Sequence, residues 1–240
     1  MPILILSDIH GNWDALQAVA PAAGEYDAIW VLGDLVNYGP QPNEVVAWVA
    51  AHASVVLCGN HDYALAHHAD PHCSPPYRRM AAEMARYTDA VLTPEHRQFL
   101  RGLPQSLRLD RGSRGFYLCH AMPSDPLFGY CPADSPRWEQ EWAAVAADVL
   151  LCGHTHVPFV RRAGPQGTGI VANPGSVGQP KGGSPQANFA VWTGEELQLR
   201  SASYPWQATA EKLQAIPLTL AVRAALVEAL RTGQGQGLPA

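Results

Sequence analysis

Short apolar runs alternate with helical patterns in the first quarter of the chain. Within residues 12–20, Trp13, Leu16 and Val19 recur at helical spacing, and Asn12 precedes them as an N-cap. A strict alternation of strands and helices is typical of a parallel sheet with buried strands. The pattern predicts strands at 2–7, 28–32 and 54–58, with helices at 12–20 and 42–51.

The pattern changes in the second half of the chain. Short strands separated by Gly/Pro turns replace the regular alternation after about residue 153. We expect one domain over 1–205, followed over 206–240 by a helix near 218–231 and a disordered Gly/Pro tail. The predicted helices lie at 77–90, 95–101 and 136–146, and the predicted strands at 105–109, 115–120, 148–152, 157–162, 168–172, 188–193 and 196–203.

Composition narrows the class of protein. The 240 residues are 47% hydrophobic and 15% charged, which suits a globular domain with a sizeable core. The net charge of -5 and the lack of a Lys/Arg block argue against broad nucleic-acid binding. No apolar stretch reaches the roughly 18 to 20 residues of a membrane span, and the N-terminus lacks a basic signal region. The chain is therefore predicted to be cytoplasmic, with its oligomeric state left open.

Polar residues follow five of the predicted strands, at the point where each strand ends. Because the carboxyl ends of strands in an open α/β sheet face a shared crevice, five separate motifs can converge on one site. The motifs are Asp8-Ile9-His10, Gly33-Asp34, Gly59-Asn60-His61-Asp62, His120 and Gly153-His154-Thr155-His156.

Residue types and spacing in these motifs favour a metal centre. In Asp-x-His and His-x-His, alternate residues of an extended backbone point the same way, so both can face one cavity. The glycines at 33, 59 and 153 allow sharp turns and close approach to an ion. A mixture of carboxylate, imidazole and amide ligands suits Mn, Fe, Zn, Co or Ni.

The motif set resembles the calcineurin-like metallophosphoesterase superfamily, and most closely its small bacterial and archaeal phosphodiesterases. Asn173-Pro174-Gly175-Ser176-Val177-Gly178-Gln179-Pro180 is similar to a late signature of that branch, and the resemblance runs from residue 3 to about 193. It implies an α/β fold in which two packed mixed sheets are flanked by helices, an α/β/β/α sandwich.

The resemblance also implies two divalent cations, with Mn²⁺ as the first choice and Fe, Ni, Co or Zn as alternatives. One cation would be bound by Asp8, His10, Asp34 and His156. The other would be bound by Asp34, Asn60, His120 and His154, so that Asp34 bridges the two. Water held between two such cations is acidified and becomes a nucleophile near neutral pH.

Catalytic and substrate-binding roles follow from the same resemblance. His61 would stand near the leaving group as an imidazolium, and Asp62 would orient it or another site residue through hydrogen bonds. A carboxylate at a helix N-terminus is an equally good interpretation of Asp62. Asn37 and Tyr38 are predicted to shape the substrate-binding rim.

We therefore predict hydrolysis of small phosphodiesters, such as cyclic nucleotides. A phosphomonoesterase or serine/threonine protein phosphatase is the alternative, although Asn37-Tyr38-Gly39 stands where eukaryotic-type protein phosphatases carry Asp-Arg-Gly. A binding scaffold without activity is a further hypothesis, against which the presence of His61 argues. The fourth motif also departs from the usual His-Gly, since Ala121 follows His120.

Some polar residues outside the motifs remain open to several interpretations. His67, His68, His72 and Cys73 suit a solvated loop, the rim of a substrate cleft or a further metal site. Lys181 could contact a substrate phosphate or be solvated.

Overall fold

Two five-stranded sheets form the centre of the molecule in a computed structural model that describes residues 2–235 and 237–238. Helices cover the outer face of each sheet. The strands are β1 (Ile3–Leu6), β2 (Ala28–Val31), β3 (Val55–Val56), β4 (Ser106–Arg111), β5 (Arg114–Cys119), β6 (Val149–Leu151), β7 (Phe159–Ala163), β8 (Gly169–Asn173), β9 (Gln186–Trp192) and β10 (Leu197–Ser203). The helices are α1 (Trp13–Ala23), α2 (Pro42–His52), α3 (Asn60–His67), α4 (Pro75–Val91), α5 (Pro94–Arg101), α6 (Arg137–Val145), α7 (Trp206–Gln214) and α8 (Leu220–Thr232).

Both sheets are mixed. The first has the order β10-β9-β1-β2-β3, with parallel pairing from β1 to β3 and antiparallel pairing of β1 with β9. The second has the order β4-β5-β6-β8-β7, with β5, β6 and β8 parallel. The predicted parallel β-α-β-α-β unit is therefore confirmed, and so is the α/β/β/α sandwich of two mixed sheets.

Strand β1 shows how the sequence creates the layers. Successive side chains of a strand point to opposite faces, so Ile3 and Ile5 pack between the two sheets, whereas Leu4 and Leu6 pack against the helices. All four are buried, which explains why β1 is a continuous apolar run rather than an alternating one.

Sequence patterns missed two helices. Helix α3 begins directly at Asn60, so the metal-capable motif there forms the first turn of a helix instead of a loop. Helix α7 is missed because its buried positions are Thr209, Ala210 and Leu213, which form a weak apolar stripe. No helix in residues 2–235 and 237–238 combines the length and apolarity needed to cross a membrane.

The C-terminal segment packs against the front of α4. The amide of Leu238 donates to Pro76 O at 2.8 Å, and the hydroxyl of Tyr77 donates to Gly235 O at 2.5 Å. Gly235 and Leu238 belong to the tail that the sequence predicts to be disordered, and both form ordered contacts. Residues 236, 239 and 240 of this tail lie outside the described residues. The division of the chain at residue 205 stays a prediction.

Glu83 on α4 fastens α8 to the domain. Its carboxylate accepts hydrogen bonds from the Thr219 amide at 2.8 Å and hydroxyl at 2.9 Å, and from Arg79 Nε at 3.2 Å. Burial by itself would raise the pKa of Glu83, but the Thr219 donors and Arg79 outweigh it and hold that pKa below its usual value. The carboxylate is therefore stabilised in its charged form.

We expect Glu83→Gln to lower the free energy of unfolding by about 1–2 kcal/mol at pH 7, because an amide NH₂ would face the Thr219 donors. A group with a depressed pKa stabilises the fold above its unfolded pKa and loses this contribution as pH falls through the folded value. The gap between wild type and variant, measured by urea unfolding, should therefore close as the pH falls below about 4.5. Glu211→Gln, at an exposed position of α7, is the control, and an equal loss there would contradict this role.

Candidate metal centre

The backbone ladder between β1 and β2 continues beyond both strands and positions the first two motifs. The amide of Asp8 donates to Gly33 O at 3.0 Å, and that of His10 donates to Asp34 O at 2.9 Å. The fourth motif is joined to the fifth in a similar way, since Gly153 N donates to His120 O at 2.7 Å. Loops at the ends of β1, β2, β5 and β6 therefore meet at one edge of the sandwich.

Five of the seven predicted metal ligands have a left-handed backbone, and so do Asn37 and Tyr38 in the loop after β2. This corrects our argument from alternation along an extended strand, because neither Asp-x-His nor His-x-His is extended. Left-handed conformations cost free energy in residues other than glycine, and they persist where surrounding contacts impose them. The φ angles are 53° at Asp8, 49° at His10, 56° at Asp34, 72° at Asn37, 59° at Tyr38, 65° at His154 and 62° at His156.

Two of the motif glycines are required by close approach. A Cβ on Gly59 would overlap the Asp34 carboxylate, and one on Gly33 would lie 2.5 Å from the Gly59 nitrogen. Gly33 also has a φ of 101°, which side chains rarely adopt. The turn after β2 and the start of α3 can therefore pack directly against each other, with Asp34 between them.

Four predicted ligands form the first group of the site. Potential ligand atoms of Asp8, His10, Asp34 and His156 all lie within 4.8 Å of one another, and all four residues are buried. His156 Nε2 is 3.3 Å from Asp8 Oδ1 and 3.1 Å from His10 Nε2. His10 Nε2 is 3.7 Å from Asp34 Oδ2.

The second group shares Asp34 with the first. Asp34, His120 and His154 form a further set with ligand atoms within 4.8 Å. Asp34 Oδ2 lies 3.3 Å from His120 Nε2, whereas its Oδ1 accepts a hydrogen bond from the His61 amide at 2.9 Å. Asn60 joins this set, with its Oδ1 at 3.1 Å from His120 Nε2. Asp34 Oδ2 thus faces both groups.

Backbone carbonyls determine which ring nitrogen of each histidine faces the cluster. A carbonyl oxygen can only accept, so a ring nitrogen within hydrogen-bond distance of one carries the proton. The Nδ1 atoms of His10, His120 and His156 donate in this way to Val36 O, Leu32 O and Gln179 O, at 3.0, 2.9 and 2.7 Å. In the neutral rings Nε2 is then an unprotonated acceptor, the usual arrangement of a metal-binding histidine.

With the ring protons on Nδ1, hydrogen-bond acceptors of neighbouring side chains face one another, and such a cluster is suited to bind cations. The Nε2 atoms of His10 and His156 face each other at 3.1 Å, and Asp8 Oδ1 is buried beside them without a hydrogen-bond partner among the described residues. Facing lone pairs repel one another unless a proton or a cation lies between them. The imidazole, carboxylate and amide donors are also ligands that first-row divalent metals accept.

Charge and burial act in opposite directions on the histidines. Burial lowers the pKa of His10 to about 4 and that of His154 to about 3, so both rings are neutral near pH 7, as metal ligation requires. Burial would lower the pKa of His120 too, but the Asp34 carboxylate outweighs it and raises that pKa to about 9. Without a metal, a proton on His120 therefore neutralises part of the cluster.

His61 lies beside the cluster and is held by Asn37. Asn37 Nδ2 donates to His61 Nδ1 at 2.8 Å and points to Ala81 O at 3.4 Å, an orientation that leaves the His61 proton on Nε2. His61 Nε2 lies 3.7 Å from Cys73 Sγ at the cleft wall. Burial lowers the pKa of His61 to about 3, so the metal-free protein favours the neutral ring rather than the imidazolium implied by the resemblance.

Asp62 uses both carboxylate oxygens on backbone amides. Oδ1 accepts from Leu35 N at 2.9 Å and Val36 N at 3.2 Å, and Oδ2 accepts from Gly59 N at 3.0 Å. Burial and the nearby Asp34 raise the pKa of Asp62 to about 7. Its direct contacts therefore join the loop after Asp34 to the N-terminus of α3, and the described residues show no hydrogen bond from it to a histidine ring.

We expect Asp62→Ala to destabilise the protein by about 3 kcal/mol, because three buried amides lose their acceptor. Metal affinity should fall with it, since the same amides position Asp34 and Asn60. Thermal unfolding with and without Mn²⁺ would measure both effects, and Asp70→Ala, at an exposed site in the next loop, is the control. A stable variant with unchanged metal affinity would contradict this role.

A cleft of about 440 Å³ opens onto the cluster. Tyr38 lines it, and its ring packs edge-on against His10 and His61 at 4.9 and 4.8 Å. Asn37 is fully buried behind His61, and its predicted contact with substrate stays a prediction. Three further aromatic residues line the cleft, and isolated aromatics in loops and helices give no local signal of such a position: Tyr77, Phe128 and Tyr130.

The four polar residues of the segment 67–73 lie in two different environments. His72 and Cys73 line the cleft, which agrees with the hypothesis of a rim, whereas His67 and His68 are exposed at the end of α3. The described residues form metal-capable clusters only at the two groups above, so a further metal site in this loop gains no support.

The segment from the end of β8 to Gln179 forms hydrogen bonds with the loops that carry the predicted ligands. Asn173 Nδ2 donates to Gly153 O at 2.6 Å, and Ser176 Oγ donates to Asp8 O at 2.7 Å. Gln179 N donates back to Ser176 Oγ at 2.8 Å. The resemblance pointed to this segment, and its contacts show that it connects the Asp8 and His154 loops.

Residues 1–196 match the family model described as the calcineurin-like phosphoesterase superfamily domain. A metallophosphoesterase structure from Sphaerobacter thermophilus is 31% identical, with a TM-score of 0.81 over 97% of this chain and 100% of that one.

Two curated proteins show a similar overlap. Protein MJ0912 of Methanocaldococcus jannaschii is 27% identical over 82% of this chain and 84% of its own length. Phosphodiesterase YfcE of Escherichia coli K12 is also 27% identical, over 83% of this chain and 91% of its own length.

Proposed function

We propose, since this chain belongs to the calcineurin-like phosphoesterase superfamily, that it hydrolyses small phosphodiesters of the cytoplasm with the help of two divalent cations. One observation carries the proposal. Two groups of candidate ligand atoms converge on Asp34 Oδ2, which lies 3.7 Å from His10 Nε2 and 3.3 Å from His120 Nε2. A shared carboxylate oxygen between two such groups is the donor arrangement that a pair of cations fits.

Each residue then has a role that its contacts support. The first cation would be held by Asp8, His10, Asp34 and His156, and the second by Asp34, Asn60, His120 and His154. Such a pair would acidify a water molecule to give a nucleophile and would neutralise charge on phosphate oxygens. Mn²⁺ is the first choice of metal, with Fe, Ni, Co or Zn as alternatives.

His61 would assist the leaving group. With Nδ1 occupied by Asn37, its proton stands on Nε2 at the cleft wall, where it can be donated to a departing oxygen. Asp34 Oδ1 holds the His61 amide at the same time. The backbone of His61 and one of its ring nitrogens are therefore both held, which limits the freedom of the ring before substrate binds.

Diester preference is supported by the lining of the cleft. The residues that line it in the described structure include no arginine, and Tyr38 occupies the loop where protein phosphatases carry one. A bidentate arginine is the typical partner of a phosphomonoester dianion. A phosphomonoesterase is the second candidate, because Lys181 gives the same cleft one ammonium group. YfcE, a relative over most of both chains, bears the name phosphodiesterase.

The test is hydrolysis of bis(p-nitrophenyl) phosphate by protein stripped with a chelator and reloaded with each metal. We expect turnover with Mn²⁺ and none in the stripped protein. The ratio of kcat/KM for bis(p-nitrophenyl) phosphate and p-nitrophenyl phosphate, measured on one preparation, decides between diester and monoester. Absence of diester turnover with all five metals would refute the proposal.

A further inference from the structure

Lys181 belongs to the cleft, although no motif required it there. It lies two residues after Gln179, whose carbonyl accepts the His156 Nδ1 proton at 2.7 Å. The segment before it is tied to the Asp8 loop, with Val177 N donating to Ser7 O at 3.0 Å and Gly178 N donating to Asp8 O at 3.0 Å. This anchored segment places Lys181 in the wall of the cleft, together with His156 and Asp34.

An aromatic ring rather than a carboxylate faces the Lys181 ammonium. Nζ lies 4.7 Å from the centre of the Tyr77 ring. In residues 2–235 and 237–238, no carboxylate oxygen lies within 4.0 Å of it, whereas Lys212, the other lysine of the chain, is paired with Asp14 at 2.6 Å. A cation–π contact contributes about 0.5–2 kcal/mol, which is less than a buried ion pair with hydrogen bonds provides.

The Tyr77 ring is itself fixed in place. Its hydroxyl donates to Gly235 O at 2.5 Å, and Gly235 packs against the Lys181 side chain. The lysine is therefore held between α4 and the C-terminal segment, with the cleft on its remaining side. Part of the entropy cost of ordering a lysine is thus met before any ligand binds.

Charge balance at the proposed site indicates what this lysine binds. Asp8 and Asp34 are the two carboxylates of the clusters, and two divalent cations would more than neutralise both. A simple diester brings a single negative charge, which leaves the Lys181 ammonium without an anionic partner. A second phosphate on the substrate would supply that partner.

We propose that Lys181 and Tyr77 form an anion subsite that binds a second phosphate of the substrate, beside the phosphate that is hydrolysed. This inference rests on the proposed function. It names the substrate class as phosphodiesters that carry a further phosphate group. Phe128 and Tyr130 line the same cleft, so a nucleoside is a suitable carrier for the probes.

The experiment compares thymidine 5′-monophosphate with thymidine 3′,5′-bisphosphate as ligands of the Mn²⁺-loaded protein, by calorimetry. We expect wild type to bind the bisphosphate at least about tenfold more tightly, as one charged hydrogen bond allows. Lys181→Met should reduce this preference to about threefold or less, while Lys181→Arg retains most of it. Lys212→Met, which also removes one positive charge, is the matched control and should keep the full preference.

Three results would overturn the inference. The first is that wild type binds the bisphosphate no more tightly than the monophosphate, and the second is that Lys181→Met keeps the full preference. The third is that Lys181→Met loses affinity for both ligands equally, which would place Lys181 on the hydrolysed phosphate. Metal content and melting temperature of each variant, measured alongside, show that the fold and the metal site are intact, and Lys181→Arg provides a second test if Lys181→Met is unstable.

Binding needs no turnover, so failure of the proposed function is visible separately. If the protein shows the Lys181-dependent preference but does not hydrolyse diesters, the proposed function is refuted and the anion subsite stands. If the protein cleaves bis(p-nitrophenyl) phosphate but shows no preference for the bisphosphate, the proposed function stands and the anion subsite is refuted.

Discussion

His61→Ala should lower kcat for diester hydrolysis by about 10²–10⁴-fold, the usual contribution of a positioned proton donor, and leave metal content unchanged. The ring contributes no atom to either ligand group, so its removal should spare the cations. The loss should be larger for alkyl esters than for p-nitrophenyl esters, because p-nitrophenolate leaves readily without a proton. Steady-state kinetics on both ester types, with metal analysis of the same samples, measure this.

The control for this variant lies on the same helix. His67→Ala removes an exposed imidazole at the other end of α3 and should leave kcat unchanged. An equal loss for both ester types in His61→Ala would indicate displacement of the ligands instead of a lost proton donor. A variant with full activity would show that His61 has no part in the reaction.

Asp34→Asn should remove both of the proposed cations, whereas a change at Asp8 should affect mainly one. Asp34 Oδ2 faces both ligand groups, and its Oδ1 accepts a hydrogen bond from the His61 backbone amide. An asparagine side chain at this position would therefore disturb both ligand groups and the hydrogen bond to His61. We expect kcat/KM to fall by about 10³-fold or more, because bound metals supply several kcal/mol of transition-state stabilisation. Metal content per chain, measured for wild type, Asp34→Asn and Asp8→Asn, separates the two groups.

The comparison with Asp8 makes this prediction specific. Asp8 belongs to the first group alone, and Asp8→Asn should therefore retain more metal than Asp34→Asn. Equal metal content in the two variants would contradict the shared role of Asp34. Asp14→Asn, at the carboxylate paired with Lys212, controls for the loss of one negative charge and should keep both cations.

Local sequence predicted that the polar side chains of the motifs come together, because each motif follows an apolar strand directly. Asp8, Asp34, His120 and His154 all stand at the ends of strands that pack into one sandwich, so their convergence follows from the layer architecture. Helix α7 escaped prediction because its buried face includes Thr209 and Ala210. The chain is a phosphoester hydrolase, and both the sequence motifs and the family match indicate this.

Conformation at the motifs could not be predicted in the same way. We expected Asp8 and His10 to alternate along an extended strand, but both have left-handed backbones. Asp8 N and His10 N bond to the loop after β2, while Ser176 Oγ holds Asp8 O from the other side. Such a conformation is imposed by contacts with distant segments, and the local sequence contains no signal for it.

The succession of strands along the chain and the identity of the metal-capable residues were determined by the sequence itself, because apolar periodicity and strand-end chemistry are local properties. The tertiary structure alone decided how these side chains are oriented. His120 is oriented by the Leu32 carbonyl, 88 positions away in the chain. His61 is oriented by Asn37, and Lys181 is placed against Tyr77. Each depends on packing between distant segments, and packing decides which ring nitrogen faces the metal-capable cluster and which ammonium lines the cleft.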